Sequence, residues 1–99
     1  MGEIIYGDFE WDEAKARRNL SRHGISFMEA ATVFDDPLFV PYQSEEHSVH
    51  ENRYVIIGES SISRLLVVAY VQRERIRIIG ARKVTPRERR SYEESEEKF

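Results

Sequence analysis

The stretch from Arg75 to Arg90, Arg-Ile-Arg-Ile-Ile-Gly-Ala-Arg-Lys-Val-Thr-Pro-Arg-Glu-Arg-Arg, alternates cations with β-branched apolar residues and then turns into a basic helix start. At a strand's period of two, Arg75, Arg77, Ile79, Ala81 and Lys83 face one way, and Ile76, Ile78, Gly80, Arg82 and Val84 the other, so neither face is purely apolar. Cations on such a strand form an ordinary solvated side, or they look onto a surface that an anion visits. Arg64 heads the preceding apolar run and Tyr70 lies within it. Together these residue types suit single-stranded RNA, with Arg and Lys on phosphates and a tyrosine under a base.

Cutting RNA without a metal ion requires taking the proton from a 2′-hydroxyl, aligning that oxygen with phosphorus, stabilising the phosphoryl oxygens and protonating the leaving oxygen. Arginine supplies only the third, because it does not deprotonate. The base must come from His23, His47, His50, Tyr70, Glu74, Lys83 or the substrate itself. His23 closes a helix, where the backbone dipole favours a cation; capping the last carbonyls is its plainer role. His47 and His50 have a His-x-x-His spacing, but without helical patterning or a convincing third ligand they read as a solvated loop rather than a metal site. Ser60, Ser61 and Ser63 make a turn, since no nucleophile elbow surrounds them.

Strong local signals define the elements that must position these groups. Asp12 N-caps a helix of about 11 residues that ends at Gly24, with Ala16, Leu20 and His23 as a thin stripe and Trp11 folded over the first turn. Ser26-Phe-Met-Glu29 is a capping box for a second helix, whose core stripe is Phe27, Ala30, Ala31 and Phe34 and whose stop is Asp35-Asp36-Pro37. Strands follow at Leu38 to Tyr42, at an edge because of Pro41, and at Arg53 to Gly58, Arg64 to Gln72 and Arg75 to Val84. Residues 43–52 read as a loop, and residues 1–10 as a short edge strand or an arm.

The run Leu65 to Ala69 marks its strand as central and covered on both sides. Thr85-Pro-Arg-Glu88 is a second capping box and starts a polar last helix at Pro86. Its acidic end, residues 91–99, is expected to fray or to be ordered by a partner. The expected fold is α+β: two N-terminal helices, a four-stranded antiparallel meander and a C-terminal helix. Helices would cover one sheet face and leave the other for a ligand.

Ninety-nine residues suit a single domain spanning 1–99, and the absence of cysteine excludes disulfides, thiolate metal sites and a thiol nucleophile. Without a long apolar run or a charged-then-apolar leader, the chain reads as cytoplasmic and membrane-free. The net charge of −3 conceals a segregated distribution. Residues 1–52 hold four Lys/Arg against eleven Asp/Glu, residues 53–90 ten against three, and residues 91–99 one against four. Unless the halves interleave in space, a basic working surface results.

Phe9-Glu-Trp-Asp-Glu-Ala-Lys15, Asn19-Leu20, Arg22-His-Gly-Ile-Ser-Phe-Met-Glu-Ala30 and Arg77-Ile-Ile-Gly-Ala-Arg-Lys-Val-Thr-Pro-Arg-Glu-Arg-Arg-Ser-Tyr-Glu93 together resemble the BrnT family of bacterial type II toxins. The resemblance implies a RelE-like fold, growth arrest by endoribonuclease activity, and neutralisation by a BrnA-like ribbon-helix-helix antitoxin. Promoter DNA would be reached only through that antitoxin, and no metal or other cofactor is implied. Mapped onto this chain, the family's motifs fall on Arg22, His23 and Gly24, on Ala81, Arg82 and Lys83, and on Arg64. With the charge segregation and the basic strands, the expectation is Arg64, Arg82 and Lys83 on the scissile phosphate and His23 or Tyr70 in proton transfer, with Arg22, Arg75 and Arg77 binding RNA. Arg22 stands where lysine is common, which keeps the charge and removes a proton-transfer group. The rival expectation is a binding module without catalysis, which docks an antitoxin or nucleic acid.

Overall fold

Asp12 opens the first helix through its own side chain. In the computed structural model, which describes residues 2–42 and 52–97, its carboxylate accepts the Lys15 amide at 2.9 Å and starts α1 (Glu13–His23). Gly24 ends the helix at φ 71°, a left-handed conformation that a side chain resists, and its amide donates to the Leu20 carbonyl. Ser26 caps α2 (Phe27–Thr32), which tightens into a 3-10 turn at Val33–Asp35 before Pro37. Thr85 and Glu88 close a reciprocal capping box ahead of α3 (Pro86–Glu97).

Six strands form one sheet: β1 (Glu3–Tyr6), β2 (Phe9–Asp12), β3 (Val40–Pro41), β4 (Arg53–Glu59), β5 (Leu65–Gln72) and β6 (Ile76–Lys83). Their order is β1-β2-β6-β5-β4-β3, antiparallel throughout except where β2 runs parallel to β6. The four-stranded antiparallel meander is therefore corrected to a six-stranded mixed sheet. Residues 3–12 form a hairpin whose second strand docks beside the start of β6. There Phe9 and Trp11 join the core, and Arg77 is gripped by Glu3 and Glu10.

Helices cover both sheet faces, which corrects the second expectation. On one face α1 and α2 enclose Trp11, Ile25, Phe27, Val33, Ile56, Leu66, Val68 and Ile78. On the other, α3 lays Tyr92 over Val55, Ile57 and Val67. The alternation of β5 between these cores is what its continuous apolar run required. A polar α3 stays on the sheet because the Tyr92 hydroxyl also donates to Asp36 Oδ2 at 2.7 Å. In α1 the expected stripe is also corrected, since Leu20 is exposed and Asn19 turns to the sheet instead. His47, His50 and Phe99 lie outside the described residues. No helix among the described residues is long and apolar enough to cross a membrane.

Gly58 shows how closely the edge of this core is built. A Cβ there would lie 2.8 Å from Val33 Cγ1 and 2.9 Å from Phe39 Cβ. Gly58→Ala is expected to cost about 2–3 kcal/mol by overpacking, read from the urea midpoint. An unchanged midpoint would show that the 3-10 turn yields freely.

Candidate functional site

A bulge in β6 decides where its last arginine points. Ala69 pairs with Gly80 and Tyr70 with Ile78, which leaves Ile79 as an extra residue. Ile78 and Ala81, three apart, are consequently both buried in the α1/α2 core. The simple alternation read from the sequence is broken there, because one inserted residue flips every later side chain. Arg82, opposite Val67, emerges on the α3 face. Glu88 of α3 receives it in a fork, Nη1 to Oε1 at 2.8 Å and Nη2 to Oε2 at 2.9 Å. Glu88 is buried, and the arginine's hydrogen bonds hold its carboxyl below the usual range against the opposing effect of burial.

Beyond Arg77, β6 has no strand on its β2 side, and α1 takes that place. Asn19 supplies the missing ladder: Nδ2 donates to the Ala81 and Ile25 carbonyls at 2.9 Å each, and Oδ1 accepts the Ala81 amide at 3.1 Å. This fixes the end of α1 and brings Arg22 and His23 beside Arg82. The three line a groove of about 300 Å³ whose floor is Val55, Val67, Ala69 and Gly80. Arg22 and His23 are exposed at its rim.

Arg64 and Lys83 approach the same end of the sheet from the other face. Arg64 Nε donates to Glu29 Oε2 at 2.9 Å, Nη2 binds Glu29 Oε1, and Nη2 also reaches the Gly24 carbonyl at 3.2 Å. Ser60 Oγ donates to the same carboxylate at 2.7 Å. Arg64, then Ser60 and the charge of Lys83, keep Glu29 ionised to lower pH than usual, although burial opposes them. Gly24 thus separates two basic groups, Arg22, His23 and Arg82 on one side and Arg64 and Lys83 on the other.

The remaining expected residues lie elsewhere. Tyr70 is six residues past Arg64, roughly 20 Å along an extended chain, and faces the α1/α2 core. It meets Phe34 edge-on at 5.0 Å and stacks on Tyr54 at 5.5 Å. Burial, and then Tyr54, push its phenol above the ordinary value. Arg75 donates to the Gly7 carbonyl at 3.3 Å, and the guanidinium of Arg77, held by Glu3 and then Glu10, is pushed to a higher pKa. These three serve the N-terminal hairpin and the aromatic end of the sheet.

Asn19, Glu29 and Glu88 were not singled out from sequence as site-forming. For Asn19 the available signs are an amide inside a helix and its place in the Asn19-Leu20 motif. Both glutamates occupy the third helical position of a capping box, a role that accounts for them at the level of sequence. Glu88 does return to the Thr85 amide at 2.8 Å, whereas the Glu29 carboxylate goes to Arg64 and Ser60.

Arg82, held by the buried Glu88 carboxylate in the groove, with exposed Arg22 and an exposed imidazole beside it, can bind a phosphodiester and move a proton. A family model described as "Ribonuclease toxin, BrnT, of type II toxin-antitoxin system" matches residues 11–88. The crystal structure of the Brucella abortus ribonuclease toxin BrnT superimposes with a TM-score of 0.59 at 20% identity, covering 76% of this chain and 92% of that one, a likeness of fold. No curated protein sequence matches. The match over residues 11–88 places the chain in the BrnT family, the ribonuclease toxins of type II toxin–antitoxin systems.

Proposed function

We propose that the chain cuts RNA endonucleolytically in the groove between Arg22, His23 and Arg82, by attack of a 2′-hydroxyl on the adjoining phosphorus and without a metal ion. The observation that carries this reading is the Arg82–Glu88 fork beside His23. Arg82 is preoriented to meet charge developing on the phosphoryl oxygens, and Arg22, exposed at the rim of the same groove, holds the phosphate. An imidazole has one ring nitrogen that accepts a proton and one that donates, so His23 serves the 2′-oxygen or the leaving 5′-oxygen. Arg64 and Lys83 hold the strand on the far side of Gly24. Positive charge that a metal would bring is supplied by arginine. A BrnA-like ribbon-helix-helix antitoxin would neutralise the chain by covering this basic end with an acidic segment.

Purified protein in excess chelator is expected to leave 2′,3′-cyclic phosphate and 5′-hydroxyl ends on RNA. A requirement for added magnesium or manganese would overturn metal independence. The rival binding module would be favoured if folded wild type produced no new ends from any RNA or ribosome-bound message. His23→Ala is expected to lower turnover about 10²-fold, with RNA affinity little changed. A loss below threefold would remove His23 from the chemistry.

A further inference from the structure

Lys15, Arg18 and Arg22 recur at i, i+3 and i+7 along α1, so their side chains stack on one face over about 10 Å of helix. All three are exposed. They border a trough of about 450 Å³ that also touches Asn19, His23 and Ile79. Asn19, Arg22, His23 and Ile79 line the groove at Arg82 as well, so trough and groove are continuous.

Helix stability does not account for this stripe. Neighbours at i, i+3 and i, i+4 with like charge destabilise a helix, and a cation in the first turn, where Lys15 stands, opposes the backbone dipole. The adjacent Arg17 shows the structural alternative, pairing with Glu13 at 3.6 Å. Arg64, Arg73, Arg77 and Arg82 are likewise each paired with a glutamate. Among the described residues, no such pair engages the side chains of Lys15, Arg18 or Arg22. Several arginines are thus spent on carboxylates, whereas this row presents its charge outward beside the groove.

We propose that this row is a rail for the sugar–phosphate backbone flanking the cut. The substrate is then single-stranded RNA several nucleotides long, with two flanking phosphates on Lys15 and Arg18. The assignment rests on the ribonuclease reading for its direction, and its test is a binding measurement that does not require cleavage.

The probe is a fluorescent single-stranded RNA of about 12 nucleotides, followed by anisotropy over about 50 to 200 mM salt. The double variant Lys15→Ala/Arg18→Ala is expected to bind about tenfold more weakly at the low end. Its slope of log affinity against log salt should be shallower by about 1.4, the value for two lost phosphate contacts on a single strand. Cleavage of a dinucleotide, which reaches only the groove, should match wild type. An unchanged slope, equal damage to dinucleotide cleavage, or a wild type that binds no RNA would each overturn the rail. A double variant that binds RNA normally but escapes the antitoxin would overturn it too, assigning the face to a protein partner. Wild type that binds with the full slope yet never cleaves would leave the rail standing and remove the ribonuclease mechanism instead.

Discussion

Arg82→Ala is expected to reduce RNA cleavage about 10²–10³-fold, the usual loss when one preorganised donor to a developing oxyanion is removed. It is also expected to weaken the fold, because Glu88 is 5% exposed and would keep its charge in a dry interface without its cation. Breaking a fully buried pair costs about 3–5 kcal/mol; about 2–3 is expected here because the Arg82 side chain is 40% exposed. Partial unfolding would mimic a catalytic effect, so Arg82→Met/Glu88→Gln is the companion variant. Removing both charges should return most of the stability in urea and none of the turnover. Cleavage restored in the double variant would show that Arg82 serves the fold alone.

The same pair sets a pH dependence of definite sign. Glu88 and Glu29 both titrate below the ordinary carboxylate range in the folded chain, through Arg82 and Arg64 respectively. Their contribution to stability is therefore complete above that range and is lost as the pH falls through the lowered folded values. In Arg82→Ala burial acts on Glu88 with its strongest counterweight gone, and the carboxyl is expected to take up a proton more readily. The stability gap between wild type and Arg82→Ala should accordingly narrow as the pH is lowered from neutrality towards about 4. A gap that widened on acidification would contradict the assignment of Glu88 as the buried partner.

Asn19→Ala is expected to destabilise the chain by about 3 kcal/mol, since it orphans the Ala81 amide and carbonyl and the Ile25 carbonyl and regains only helix propensity. Asn19→Asp tests the same idea more sharply. It has the same shape and can still accept the Ala81 amide, but it turns acceptors towards two carbonyls, so it should be no better than alanine. Hydrogen exchange at Ala81 should quicken in both. Because Asn19 also sets the end of α1 against β6, each variant should lose turnover in excess of its unfolded fraction as Arg22 and His23 drift from Arg82. An aspartate variant as stable as wild type would mean that water, rather than Asn19, completes the edge of β6.

Caps, breakers and the charge distribution were legible from residues lying within a few positions of one another. Asp12, Ser26 and Thr85 opened their helices, Gly24 and Pro37 closed theirs, and the apolar run of β5 placed that strand between two layers. The ordered motifs from Phe9 to Glu93 likewise sufficed for the BrnT family, which the match over residues 11–88 shows. The N-terminal hairpin was not legible as two strands of the sheet, because β2 makes sense only beside β6, more than sixty residues later.

Which cation serves structure and which faces outward was equally out of reach. Arg77 and Arg82 sit in one alternating strand, yet one is locked to the hairpin and the other to α3. The sequence by itself determined where each helix begins, which strand is central and that positive charge is concentrated after Arg53. Tertiary structure alone decided the bulge at Ile79, the amide ladder of Asn19 and the pairing of Arg64 with Glu29, Arg77 with Glu3 and Glu10, and Arg82 with Glu88. Caps and periodicity are settled by backbone groups within one or two turns, whereas a buried charge takes whichever partner the folded layers bring within hydrogen-bond reach.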